Sequence, residues 1–280
     1  MSPRLARIGL FVAAASAPVV FVLVPIAAFL IMSFWRVETS QLVPDMTVAN
    51  YAAFFASDTY PRVFIETLQL CAIVAVIGVA LGYPIAYLIW RQHGRLRYVL
   101  LLLFAIPLFM SYIVKIYTMR SILGLQGFLN QGLVTLGILD QPSLLFIYNR
   151  LAILLTMAVI FLPFAILPIY LSLERIPRSL VHASADLGGA PLASFRYVIL
   201  PLSAPGTIVG ALFVFVLALG DFITPQMVGG PSGFTIGRVI WSQFGLAFNW
   251  PFGAAMASLL LLVAFVVISL AALIARRQRV

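Results

Sequence analysis

Six stretches of this chain stay apolar for longer than a soluble fold requires, and that length constrains everything else. They cover about Ile8–Phe34, Val63–Trp90, Tyr98–Tyr117, Leu151–Leu173, Leu202–Phe222 and Pro251–Ala275. A helix of roughly 20 mostly apolar residues crosses a hydrocarbon core about 30 Å thick. It also satisfies its own backbone hydrogen bonds where no water can. Barrel strands alternate in polarity over about ten residues, whereas these runs are long and evenly apolar. Composition agrees: 63% of residues are hydrophobic and 9% charged, against about 25% charged in soluble domains. The expected fold is an all-α membrane protein of about six transmembrane helices, with residues 1–280 forming one domain.

Arg4 and Arg7 precede the first run, and Ala15-Ser16-Ala17 resembles a signal cleavage site. A signal core is about 7–15 residues long; this run continues to Phe34, so it reads as a retained first span. With six spans and a cytoplasmic N-terminus, the inside holds Arg4, Arg7, Arg91, Arg95, Arg97, Arg175, Arg178, Arg196, Arg276, Arg277 and Arg279. Arg36, Arg62, Lys115, Arg120, Arg150 and Arg238 fall outside or at outer ends of spans. Basic residues favour the cytoplasmic side, so both termini of this multi-pass protein are expected there. The net charge of +9 is explained by these short loops beside lipid, not by nucleic acid.

Several chemistries lack their residues. Cys71 is the only cysteine, and His93 and His182, the only histidines, lie in different loops. No metal centre is expected. No G-x-x-x-x-G-K-[ST] phosphate loop is present, and no paired carboxylates or nucleophile–base arrangement appears. The chain reads as no enzyme, without a cofactor of its own. Outside the spans, Arg36–Arg62 is a loop of moderate length, and Thr118–Arg150 contains a Gly-rich piece, residues 123–129, expected either to lie at the interface as a partly helical segment or to pack on the outer ends of the spans.

The loop between the fourth and fifth runs, about residues 174–201, is the most informative. Ser179 is a candidate N-cap, and Ala183 and Ala185 favour helix. Gly188-Gly189 stops that helix, because glycine takes the left-handed conformation freely. Pro191 suits the first turn of a second helix, with Leu192, Phe195 and Ile199 on one stripe. Pro201 ends or kinks it. Such a helix–Gly–helix elbow suits docking to a cytoplasmic partner; the alternative is an interfacial turn.

These residues resemble the cytoplasmic coupling signature of ABC importer permeases: Glu-Ala-Ala, three residues, Gly, nine residues, then Ile-x-Leu-Pro. Here His182-Ala183-Ser184, Gly188 and Val198-Ile199-Leu200-Pro201 occupy those places with matching spacing. His182 replaces the family glutamate, Ser184 an alanine and Val198 an isoleucine, so an ion pair made by that glutamate does not carry over. Leu219–Gly230, Ile236–Trp241 and Asn249-Trp250-Pro251 resemble the last third of spermidine and putrescine permeases.

The resemblance implies a type I importer permease of a bacterial inner membrane, with its core at about residues 63–275 and a coupling helix between spans four and five. It implies polyamine transport through a pathway shared with a second, different permease subunit. It also implies a separate ATPase dimer that binds ATP and Mg, and an extracytoplasmic substrate-binding protein. Within the loop, Ala183 and Ser184 leave room for a close-fitting groove, Gly188 sets the elbow, and Leu187 and Phe195 offer apolar contact. Leu200 and Pro201 lead movement into the fifth span. Asp186 either caps locally or meets a basic residue of the ATPase.

A polycation needs acidic and aromatic partners. Asp221, near the outer end of the fifth run, is the first candidate, against an ion pair with Arg238 or an interfacial aspartate; Glu66 is the second. Trp241 and Trp250 read as interface anchors. Rival readings are a permease for another small solute, an ion-coupled secondary transporter, for which the expected internal repeats are not evident, and a non-transporting membrane scaffold.

Overall fold

The computed structural model describes Ser16 and residues 19–39 and 41–277, with side chains through residue 275. Two compact units emerge: the described part of Met1–Arg62 with Val239–Leu262, and Val63–Arg238 with the described part of Val263–Val280.

In the first unit, a π-helical turn, Val19–Leu23, leads into helix α1, Val24–Met32. Together they are shorter than a span needs; residues 8–15, 17 and 18 of the expected first span lie outside the described residues. The expected loop then folds. Strands β1, Arg36–Glu38, and β2, Gln41–Val43, pair antiparallel with Val37 opposite Leu42. Thr39 takes a φ of 50° at their turn. Arg36 bridges Glu38 at 3.0 Å and Asp45 at 3.2 Å. Helix α2, Ala49–Ala56, is pinned by Asn50, whose Nδ2 donates to the carbonyls of Ser33 and Trp35 at 2.8 and 2.7 Å. Neither pairing has a periodic signature, so the sequence shows only a loop here.

The second unit is helical. Helix α3, Thr59–Arg91, enters it at Val63 and runs on through Pro84. Next come α4, Gly94–Ala105, a 3-10 turn at Ile106–Phe109, and α5, Tyr112–Leu123. The expected straight span Tyr98–Tyr117 is therefore broken: the two halves bend by 103°. Pro107 supplies no backbone donor, and Met110 is extended with a ψ of 144°. Helix α6, Phe128–Thr135, takes up only the last two residues of the Gly-rich piece, whose residues 124–127 form the turn after α5.

Helices α7, Arg150–Glu174, α8, Arg178–Asp186, α9, Pro191–Ser194, α10, Leu200–Gly220, and α11, Ile223–Val228, follow. Helix α12, Ile236–Gly245, starts in this unit and α13, Trp250–Arg277, starts in the first. Among the described residues four helices are long and apolar enough to cross a membrane, and the bent pair makes a fifth if it counts as one span.

The core of the second unit is α7 against α10. Gly206 lies so close to α7 that a Cβ would sit 2.3 Å from that of Ser172, and one on Gly210 would sit 3.0 Å from the Ala165 carbonyl. Small residues four apart let helix backbones approach where lipid supplies no hydrophobic drive. Tyr83 on α3 adds a polar tie, its hydroxyl 2.7 Å from Ser203 Oγ on α10.

Candidate functional site

The elbow is built from local chemistry. Helix α8 begins at Arg178 after Pro177, without a side-chain cap, so Ser179 is not the N-cap the sequence suggested. Its end matches the expectation. Gly188 takes a φ of 81°, its N–H bonds the Ala185 carbonyl at 2.9 Å, and the Gly189 N–H bonds the Ser184 carbonyl at 2.9 Å. This bond pair is the Schellman stop, which satisfies carbonyls the helix end would orphan. Ser184 Oγ then meets Ser194 Oγ at 2.8 Å across the turn.

The second half of the elbow does not break at Pro201. Pro191–Gly220 is one continuous apolar helix with a π turn at Phe195–Ile199, closed by the Leu200 N–H on the Phe195 carbonyl. A proline removes a backbone donor and its ring presses on the carbonyl four residues earlier. Widening the preceding turn gives Pro201 room while the helix continues.

His182, Ala183, Asp186, Leu187, Leu200 and Pro201 are exposed, Leu187 at 89% and Leu192 at 75%. Phe195 is half-buried, and its ring packs edge-on against Tyr83 and Tyr87 of α3, at 5.9 and 5.4 Å, so it ties the elbow to that helix. Asp186 is exposed at the C-terminal end of α8, where the helix dipole disfavours a carboxylate. The structure also joins what the sequence separated: His93 and His182 line one cavity of about 230 Å³ with Trp90, Arg91 and Arg178, and Arg178 meets His93 Nε2. No group of three or more His, Cys, Asp or Glu gathers among the described residues. Beneath the elbow, Arg97 bonds Glu174 and Tyr170.

Asp221 lies at the break between α10 and α11, 8% exposed. Its Oδ1 accepts the backbone N–H groups of Ile223 and Thr224 at 3.0 and 3.1 Å, which starts α11. Its Oδ2 accepts the Tyr112 hydroxyl at 2.5 Å, and the Tyr112 hydroxyl oxygen lies 2.9 Å from Thr224 Oγ1. The alternative ion pair with Arg238 is not made; that guanidinium turns to the carbonyls of Gly230 and Gly233. Asp221 borders a cavity of about 280 Å³ with Tyr112, Lys115, Phe161, Phe164 and Phe222. Tyr112 stacks on Phe161 at 6.3 Å, and Lys115 Nζ lies 5.6 Å from the Tyr112 ring centre.

Glu66 does not share that cavity. It borders a small one of about 30 Å³ with Thr67, Arg150 and Thr235, and Arg150 donates to its backbone carbonyl at 2.8 Å. Sequence reasoning missed Tyr112 and used Lys115 only as a charge to be counted. An ionisable residue in an apolar run is itself the signal, and it pointed to Lys115.

The profile of the family described as "Binding-protein-dependent transport system inner membrane component" matches residues 11–280. The spermidine/putrescine transport system permease protein PotB of Haemophilus influenzae is 34% identical over 238 residues, 85% of this chain and 82% of that protein. The inner membrane ABC transporter permease protein YdcU of Escherichia coli is 37% identical over 230 residues, 78% and 72% of the two chains. Among solved structures, a bacterial ABC transporter that imports the acidic polysaccharide alginate superposes with a TM-score of 0.78 at 16% identity, covering 97% of this chain and 95% of that one.

The chain belongs to the binding-protein-dependent transport system inner membrane component family. It is a multi-pass membrane permease of an ABC importer, with the type I importer permease fold.

Proposed function

We propose that this permease carries polyamines, putrescine or spermidine, and that the elbow at residues 174–201 couples it to a separate ATPase subunit. One observation carries the substrate reading: a buried carboxylate, Asp221, borders an aromatic-lined cavity. An ammonium there meets a negative charge and the faces of π systems, the two partners that repay its lost hydration. The similarity to PotB, named for spermidine and putrescine transport, agrees.

The coupling reading rests on the exposed α8 and Leu187 at its end. An apolar side chain so exposed is suited to a groove on a partner. In this scheme both termini are cytoplasmic, a second and different permease subunit completes the pathway, and an extracytoplasmic binding protein delivers cargo. ATP and Mg bind the ATPase dimer. ATP favours one arrangement of the two halves, and its hydrolysis returns the other.

Uptake of labelled putrescine and spermidine tests both parts. The host lacks its own carriers and expresses this chain with the other subunits of its transporter. The expected result is uptake of one amine, competed by the other, and its weakening in Asp221→Asn. Background uptake of both amines by an assembled transporter overturns the substrate reading and points to another small solute. Uptake that persists without the ATPase overturns the coupling reading and points to an ion-coupled carrier.

A further inference from the structure

Lys115 is the only lysine in the chain, and it sits at the Asp221 cavity instead of in a charged loop. Lysines in a membrane segment are costly and usually serve a pathway. It lies three residues after Tyr112 on α5, so the two side chains share a helix face. Its ammonium lies 5.6 Å from the Tyr112 ring centre, while the hydroxyl of the same ring is held by Asp221 at 2.5 Å. Lys115 also borders a second, apolar cavity of about 380 Å³ with Leu103, Phe104, Met110 and Pro163. Its flexible stem therefore adjoins two spaces.

Chemically, a lysine side chain is a primary ammonium on a four-carbon chain, as is each end of a simple diamine. Asp221 and Tyr112 cannot distinguish the tethered ammonium from a free one by charge or hydrogen bonding. We propose that Lys115 is a specificity-determining residue of this cavity: a tethered ammonium that holds the Tyr112 face until a cargo ammonium displaces it. This inference rests on the reading of the cavity as a polyamine path.

A consequence follows from charge alone. Displaced but still tethered beside the cavity, this ammonium repels each positive charge of the cargo, so it penalises a triamine more than a diamine. Removing it strengthens binding of both and favours the longer amine. A purely structural lysine has no such effect; its loss weakens both alike.

The test is equilibrium binding of labelled putrescine and spermidine to the complete transporter in nanodiscs, without binding protein. Wild type, Lys115→Met and Lys115→Arg are compared. Lys115→Met is expected to tighten spermidine about tenfold and putrescine about threefold, within the range of one screened charge. Lys115→Arg keeps the charge and is expected to keep the wild-type ratio. Should Lys115→Met fail to assemble, Lys115→Gln carries the same expectation. A neutral variant whose spermidine-to-putrescine ratio is unchanged, or that weakens both amines, overturns the inference while the polyamine reading stands. Wild type that binds and carries neither amine overturns both.

Discussion

The elbow and the Asp221 cavity both form where a helix stops beside a glycine, yet they are assembled in opposite ways. At the elbow every bond that sets the turn is local: Gly188 to Ala185, Gly189 to Ser184, Ser184 to Ser194. At the cavity the decisive bond, Tyr112 to Asp221, closes a separation of 109 residues. The elbow displays its residues, with Leu187 at 89% exposure, whereas Asp221 keeps 8%. A local site tolerates changes its backbone can absorb. A convergent one depends on each distant element arriving in place.

The largest expected effect breaks the elbow. A Cβ on Gly188 meets nothing within 4 Å, so space is not the constraint there; the φ of 81° is. A left-handed backbone costs an ordinary residue roughly 1–2 kcal/mol, is a genuine outlier for a β-branched one, and is tolerated by Asn. Gly188→Val is expected to cut uptake about thirtyfold or more, with normal membrane expression, while Gly188→Asn keeps most of it. If Asn fails as badly as Val, a bare backbone is what the partner reads. If Val transports normally, the elbow does not couple.

A smaller loss is expected from Asp221→Asn. An Asn oxygen can still accept the Ile223 and Thr224 amides, so α11 keeps its start and only the charge goes. The expected result is about tenfold weaker uptake, the scale of one charge-assisted hydrogen bond, with unchanged thermal stability. Asp221→Ala also removes the cap and should lower stability by about 1 kcal/mol more. Equal uptake by Asn and wild type would make Asp221 a cap alone.

Leu187→Ala tests the exposed end of α8. Truncating an apolar anchor at an interface commonly costs about 1 kcal/mol or more. Pull-down of the ATPase with the permease should weaken about fivefold, while the permease itself stays as stable as before.

How much of this was legible follows the same division. The Gly188 stop and the Pro191 start came from spacing, because each depends on neighbours within a few residues. The bend at Pro107–Ser111 escaped because an apolar run reads the same whether straight or folded back by 103°. The stripe of Leu192, Phe195 and Ile199 showed a helix face but not what it packs on; the neighbours of Phe195, Tyr83 and Tyr87, lie on another helix. Asp221 was found by its cost in lipid. Its partner Tyr112 carries no such mark, since a tyrosine in an apolar run is unexceptional until a carboxylate from another helix reaches it.

The finest test separates the elbow's stop from its brace. Ser194 is 5% exposed and meets Ser184 Oγ, a bond that joins the two arms without taking part in the glycine stop. Ser194→Ala removes it and leaves Ser184 half-buried and free to turn to water. A neutral hydrogen bond contributes about 0.5–1.5 kcal/mol net, so uptake should fall no more than about threefold, with ATPase pull-down little changed. Combined with Gly188→Asn, the loss should exceed the product of the two single effects, because two devices in contact set one angle. A double variant whose losses simply multiply would mean that the glycine stop fixes the elbow alone and that the serine pair is incidental to it.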